Sequence, residues 1–346
     1  MKKFWAVIGN PPYQEEFTKE GNKTYAKPIY NDFMDEADKV AKRVELITPA
    51  RFLFNAGSTP KAWNTKKLAD CHFKVLDYEE DATEVFPNTD IKGGVAVTLR
   101  DEEKNFGPIE VFTKFPELNA IIRKVVHSEG FRPLSSIALS AYSYKLTQKL
   151  YEDYPEAKGE LSKGHDFDLK SNVLEKLPGI FHKVKPEDSE DYISIFGRAN
   201  NERVTRYIRR EYINSVVNLD AYKLFMSKAT GTGSYGEAIT PPFIGEPGTG
   251  STETFLSIGN FATRDEAGRA LIYTKSKFAR ALLGVLKVTQ DVTPGKWDFV
   301  PLQDFTSNSD IDWSKPIPDI DKQLYKKYGL SDDEIEFIET HVKEMN

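Results

Sequence analysis

The sequence predicts an α/β unit at the start of the chain, followed by a larger α+β region. Three observations carry this. Short apolar runs (FWAVI, VELIT, FKVLD and VAVTL) alternate with helical patterns over residues 4–99. Past residue 190 the pattern shifts to short strands separated by Gly- and Pro-rich stretches. The length, 346 residues, suits about two domains. A composition that is 39% hydrophobic and 29% charged supplies a core and excludes disorder as the general state.

Taken in order, residues 4–8 read as a buried strand ended by Gly9-Asn10-Pro11-Pro12. Residues 28–42 place Ile29, Phe33, Ala37, Val40 and Ala41 at helical spacing. Residues 44–48 form a second strand stopped by Pro49, and residues 60–69 a helix behind the start signal Ser58-Thr59-Pro60. Residues 73–77 and 93–99 add two strands, so the sheet is expected to be mostly parallel with covering helices. Phe106-Gly107-Pro108 and Lys114-Phe115-Pro116 mark the exit from this unit, and residues 117–127 read as a connecting helix. Residues 152–190 include a long surface loop. Beyond it come a strand at 192–196, a helix at 201–212, strands at 221–227 and 254–261, and one long helix at 264–288. Ser331 caps a last helix, with Glu334 three residues on. The expected domains are 1–113, 114–310 and a helical tail at 311–346. No internal repeat is visible.

Several function classes drop out. No apolar run reaches the roughly 18 residues of a membrane span, and the N-terminal apolar stretch is too short for a secretion signal. A single cysteine, Cys71, fits a reducing, cytoplasmic compartment. The five histidines never fall at metal-ligand spacing, so no metal is expected. Asp319-Ile320-Asp321-Lys322 has the residue types of a nuclease cluster, but it lacks strand context and lies in a tail expected to expose it, so no cleavage activity is expected. The net charge of −6 divides into −3 for residues 1–113, +1 for 114–310 and −4 for 311–346. The middle region can therefore still present a basic patch to DNA.

The most specific string is Asn10-Pro11-Pro12-Tyr13, at the end of a predicted strand. An exocyclic purine amine is a weak nucleophile, because its lone pair is delocalised into the ring. The Asn10 amide oxygen and the Pro11 carbonyl can each accept one of its hydrogens, which favours a tetrahedral nitrogen with a usable lone pair. Proline fixes the backbone, so both acceptors are held in register in advance. Tyr13 offers a face on which an extruded base can stack. The same four residues also read as an ordinary strand-to-turn junction.

The order strand, NPPY, helix, strand, helix, strand, Glu84-Val85-Phe86-Pro87, strand resembles the catalytic half of the gamma-class N6-adenine DNA methyltransferases, and is closest to the methylase part of type IIG restriction–modification enzymes. The resemblance implies a partial Rossmann-like methyltransferase sheet followed by an α+β target-recognition domain. It implies Asn10 and Pro11 as acceptors for the amine, Pro12 as part of the same loop, and Tyr13 and Phe86 as rings against the target adenine. It further implies double-stranded DNA as substrate and S-adenosylmethionine as cofactor. Later blocks (KFARALLGVLKVTQD, WDFVPLQDFTSNSDIDWS and LYKKYGLSDDEIEFIE) resemble the target-recognition and C-terminal region.

One departure matters. Such enzymes carry a cofactor-binding half with a Phe-x-Gly-x-Gly turn ahead of the NPPY loop, and here nine residues precede Asn10. Gly231-Thr232-Gly233-Ser234-Tyr235-Gly236 satisfies G-x-G-x-x-G literally, but Pro241-Pro242 follows where a helix should begin. Either the cofactor half is expected on a partner chain, or the sequence is a piece of a split or truncated gene. The small residues of this string, near Lys223 and Lys228, also suit a phosphate-approaching loop. Residues 198–210 carry five arginines against one glutamate. On the expected helix Arg203, Arg206 and Arg210 share a face suited to a phosphate backbone, with Arg198 just ahead. The alternatives are a noncatalytic DNA-recognition subunit and an inactive fragment.

Overall fold

Residues 3–19, 23–54, 58–87, 89, 91, 93–109, 111–200, 202–287 and 289–345 are described by a computed structural model, a mixed α/β chain with several sheets. It divides into two units, Met1–Asn119 and Ala120–Asn346. No helix among the described residues is long and apolar enough to cross a membrane.

In the first unit the opening apolar run becomes strand β1 (Phe4–Gly9). A short hairpin, β2 (Gln14–Lys19) and β3 (Lys23–Pro28), follows the proline turn, and helix α1 (Tyr30–Val40) then leads into β4 (Ala41–Pro49). β1 and β4 are parallel, with Val7 opposite Val44, so a crossover is required, and α1 provides it. Its core face is Tyr30 and Met34, with Ala37 packed beside them, while Phe33 is exposed. The buried stripe is thus one residue round from the one that Ile29 and Phe33 mark in the sequence. Helix α2 (Lys61–Leu68), strand β5 (Phe73–Glu79), the single turn α3 (Ala82–Val85) and strand β6 (Val95–Asp101) complete the sheet.

The sheet order is β1-β4-β6-β5, and β6 runs antiparallel to both its neighbours. The expected mostly parallel sheet is therefore three parallel strands with one reversed strand inserted. The reversal follows from the connection. The chain leaves β5 and begins β6 at the same edge of the sheet, with no helix long enough to carry it back. Gly94 makes that possible: its φ is 73°, and a Cβ there would lie 2.1 Å from the Glu79 carbonyl oxygen. Val44, Leu46, Phe52, Leu53, Phe73 and Ala96 join Met34 in the core.

Helix α4 (Pro116–Val126) crosses the boundary between the units. The second unit has short helices α5 (Gln148–Asp153) and α6 (Val173–Lys176) and a two-residue strand β7 (Ala138–Leu139). Its sheets are built from β8 (Tyr192–Ala199), β9 (Glu202–Arg209), β10 (Tyr222–Ser227), β11 (Phe243–Gly245), β12 (Thr249–Ser251) and β13 (Phe255–Phe261), in the orders β12-β8-β9 and β11-β10-β13-β7. The helix expected at 201–212 is instead β9 followed by one 3₁₀ turn (Asn201 lies outside the described residues). Asn200 takes a φ of 51°, and β9 folds back on β8. Val204, Thr205, Tyr207 and Ile208 are β-branched or aromatic and prefer a pleated surface.

The single helix expected at 264–288 is two, α7 (Arg264–Lys275) and α8 (Lys277–Leu286). Ser276 breaks it by capping α8, its hydroxyl accepting from the Ala279 amide. α9 (Ile317–Lys327) and α10 (Asp332–His341) pack within this unit, and the expected Ser331/Glu334 capping box is formed. Asp321, expected to be exposed, is buried and accepts from the Lys277 and Phe278 amides at the start of α8.

Candidate functional site

The carboxyl ends of β1, β4 and β5 meet at one edge of the first sheet, where open α/β sheets usually hold their ligands. Residues 10–13 leave β1 at that edge. Each proline holds the residue before it extended, so Asn10 and Pro11 are fixed in direction. The loop is anchored at both ends. β1 is in the sheet, and beyond the loop the Tyr13 carbonyl accepts from the Ile29 amide at 3.1 Å, closing the base of the β2/β3 hairpin. Asn10 is exposed and Tyr13 half-buried. Burial raises the Tyr13 phenol pKa. The Asn10 side chain lies close enough to pull it partly back, though not in hydrogen-bonding geometry, and the hydroxyl has no partner among the described residues.

Phe86 arrives from the far side of the sheet. Asp81 caps α3, accepting from the Thr83 amide and hydroxyl, and the Phe86 amide closes the turn onto the Ala82 carbonyl at 2.8 Å. The Tyr13 and Phe86 rings stand 6.3 Å apart at 70°, an edge-to-face corner. Such a corner offers one ring face for stacking with a second ring's edge beside it.

Three residues at this edge escape sequence reasoning. Phe54, Tyr78 and Phe112 form a three-ring cluster with centroids 5.3–5.6 Å apart. The available signal was position: Phe54 follows β4 and Tyr78 lies near the end of β5, as residues 10–13 follow β1. At the opposite edge, a cavity of about 400 Å³ is lined by Asp38, Trp63, Lys67, Asp70 and Arg100. Salt bridges of 2.6 Å (Lys67 to Asp38) and 2.7 Å (Arg100 to Asp70) cross it, and neither involves the loop residues.

In the second unit the proposed basic residues separate. On the β8/β9 hairpin Arg198 and Arg203 are directly opposite and exposed. Arg206 is opposite Ile195 and so turns to the other face, because strand side chains alternate. The shared arginine face expected of a helix is therefore absent. Arg210 is engaged by Asp191 at 2.7 Å and Asp220 at 2.9 Å. Lys228 donates to the Tyr142 hydroxyl at 2.9 Å. Lys223 is wholly buried in β10 and donates to the Leu219 and Glu246 carbonyls, and burial pulls its pKa down to about 8. It is not available to a phosphate.

The glycine loop is also occupied. The Glu237 carboxylate accepts from the Thr232 and Gly233 amides at 2.7 and 2.8 Å, from the Thr232 hydroxyl, and from Lys287 at 2.5 Å. Burial works against its charge, but these donors outweigh it and hold its pKa at about 2. The Thr232 and Gly233 amides, which a phosphate or cofactor at this loop would meet, are already used by a charged carboxylate of this chain, and that does not suit an S-adenosylmethionine site.

Residues 1–86 match the family described as Eco57I restriction-modification methylase. A curated relative, an uncharacterized adenine-specific methylase of Mycoplasma pneumoniae, is 32% identical over 96 residues, 28% of this chain. The chain spans 23% of that relative's length. The solved type IIG restriction endonuclease BpuSI aligns over 94% of this chain and 49% of its own, at 10% identity and a TM-score of 0.33, too loose a likeness to carry an argument.

Proposed function

We propose that this chain is the catalytic-loop and target-recognition part of a DNA adenine-N6 methyltransferase of a restriction–modification system. The observation that carries the reading is the Tyr13/Phe86 ring corner beside Asn10, at the edge of the first sheet where β1, β4 and β5 end, within the segment that matches the methylase family. The adenine, taken out of its duplex, stacks at the corner. The Asn10 amide oxygen and the Pro11 carbonyl accept the two N6 hydrogens, and Pro12 holds Pro11 extended. The nitrogen lone pair then leaves conjugation and points away from the ring. S-adenosylmethionine, held by a partner chain, would supply the methyl group, its methyl–sulfur bond breaking as the N6–carbon bond forms, with S-adenosylhomocysteine leaving and one N6 proton passing to solvent. Duplex phosphates are taken by Arg198 and Arg203 on the β8/β9 hairpin.

The filled glycine loop favours one alternative, a noncatalytic subunit that reads DNA for another chain. Tritiated methyl incorporation separates the two, measured with a polypeptide carrying the cofactor half alongside a gel-shift titration on the same DNA. Asn10→Ala is expected to cut methyl transfer by about 10² to 10³, the usual worth of a preorganised acceptor, and to leave DNA affinity nearly unchanged. Full activity in Asn10→Ala refutes the catalytic assignment. Specific DNA binding without methylation by any wild-type complex favours the subunit reading.

A further inference from the structure

The cavity at the far edge of the first sheet is built from side chains that the methyl-transfer chemistry does not use. Its volume of about 400 Å³ falls within the roughly 300–1,000 Å³ of small-molecule pockets. α1 contributes Asp35 and Asp38, α2 contributes Trp63, Lys66 and Lys67, and β6 contributes Arg100. α1 starts where the Ile29 amide meets the Tyr13 carbonyl, and Asp38 sits near its other end, so the cavity and the ring corner lie at opposite ends of one helix. The wall is the Trp63 ring, held edge-to-face by Phe52 at 5.3 Å and Tyr30 at 6.4 Å. The floor is charged: Lys67, buried, pairs with Asp38, and Arg100 pairs with Asp70. That floor is under-bonded. Asp38 Oδ1, Arg100 Nη1 and Trp63 Nε1 are all buried and have no hydrogen-bond partner among the described residues. Buried polar groups are nearly always hydrogen-bonded, and exceptions call for a role. At the rim Lys66 is exposed and Asp35 half-buried, and neither is in an ion pair among the described residues.

We infer that this cavity is a second small-molecule site, one that takes a nucleoside monophosphate and is separate from the adenine corner. The inference goes beyond the proposed function and does not rest on it. Charge and shape select the occupant. Among the described residues no group of metal-ligating side chains could hold a metal ion, and lysine and arginine share this lining. An apolar molecule would strip water from charged side chains and return no hydrogen bond. Inorganic phosphate would suit Lys66 but leave the Trp63 wall uncovered and face the Asp35 carboxylate. A nucleoside monophosphate answers each part. Its base lies along Trp63, as bases do on aromatic side chains. Base amino groups and ribose hydroxyls donate to Asp35 and Asp38, and the base's own acceptors receive Arg100. The phosphate takes the Lys66 ammonium at the rim, a charge-assisted contact. Bound there, the nucleotide ties together α1, α2 and β6, which the Lys67–Asp38 bridge and the 3.7 Å approach of Arg100 to Asp38 already link.

The test titrates the full chain by calorimetry with the common ribonucleosides, with their monophosphates and with inorganic phosphate, and locates the bound molecule by amide hydrogen exchange. The expected result is one-to-one, sub-millimolar binding of at least one monophosphate, with protection of α2 and of the end of α1 that carries Asp38. That monophosphate should bind at least tenfold more tightly than its own nucleoside and than inorganic phosphate. Lys66→Glu should weaken it at least fivefold, because a carboxylate then faces the phosphate, and Arg100→Gln at least tenfold. Tyr13→Ala should bind the nucleotide as wild type does. Lys66 is exposed, so Lys66→Glu should keep the fold by circular dichroism; if Arg100→Gln unfolds, Lys66→Glu alone decides. Absence of saturable binding by every monophosphate overturns the inference. So does inorganic phosphate binding as tightly as the best monophosphate, which marks a simple anion patch, or an unchanged affinity in Lys66→Glu. Loss of binding in Tyr13→Ala with protection at residues 10–13 also overturns it, because the nucleotide then sits at the adenine corner. None of these outcomes decides whether Asn10→Ala abolishes methyl transfer, so the two readings fail separately.

Discussion

Replacing Glu237 tests whether the glycine loop is a structural clamp. Its carboxylate is 13% exposed and Lys287 is 3% exposed, so the pair is screened little by solvent. In Glu237→Ala the Lys287 ammonium loses its carboxylate inside the protein, and the Thr232 and Gly233 amides lose their acceptor. Stripping one member from a buried pair costs about 3–5 kcal/mol. Lys287→Met leaves the carboxylate its amide donors and should cost less, about 1–3 kcal/mol, the range for one unsatisfied buried group. The double variant should fall short of the sum by about 1 kcal/mol or more, because both changes act on one network. Urea unfolding of the four proteins closes the cycle, with amide exchange at Thr232 and Gly233 as the local readout. Those amides should exchange faster in Glu237→Ala and stay protected in Lys287→Met. A loss below about 1 kcal/mol in Glu237→Ala, or additive single effects, refutes the clamp and returns the loop to ligand binding.

Other outcomes can be checked separately. Replacing Arg198 and Arg203 with alanine should weaken DNA binding across sequences and flatten its salt dependence by about 0.9 in slope per lost phosphate contact, whereas Arg206→Ala should leave the slope unchanged; equal effects of all three would restore a shared face. Burial lifts the Asp321 carboxyl to about 6, against the two amides that stabilise its charge. A raised folded pKa gives stability that is fully present below about pH 4 and declines as pH rises through about 6, so Asp321→Asn should flatten that decline in pH-dependent unfolding. Gly94→Ala, which forces a Cβ into the Glu79 carbonyl at positive φ, should destabilise the first unit by more than about 1–3 kcal/mol in thermal unfolding, the usual cost of the backbone strain alone.

Much of the first unit was legible, because β1 and β4 are short apolar runs ended by Gly or Pro, β5 and β6 carry apolar runs of their own and α1 keeps a helical period; the β2/β3 hairpin (QEEFTK and KTYAKP) has no apolar run and was not. The meeting of Tyr13 and Phe86 was legible only through the resemblance. Strand direction was not: periodicity is the same in both directions, so β6 gave no sign of running backwards. Arg203, Arg206 and Arg210 sit at helical spacing by coincidence of charge, while the residues between them prefer a strand, and packing decided for the strand. Ser276 is unremarkable within an apolar helical period until its hydroxyl is seen on the Ala279 amide. Lys223 looked like a surface cation, since sequence cannot show two backbone carbonyls converging on a buried ammonium.

The sheet order carries a consequence for the timing of synthesis. Among the described residues β5 pairs with its sheet only through β6, because β6 lies between it and β4. Phe86 follows β5, so its ring cannot be set against Tyr13 until β6, ending at Asp101, has left the ribosome and been inserted. A nascent or prematurely ended chain that already displays Asn10-Pro11-Pro12-Tyr13 thus has the acceptors without the ring corner. The base-holding corner is among the last features of the first sheet to form, and it appears only when the sheet around it is whole.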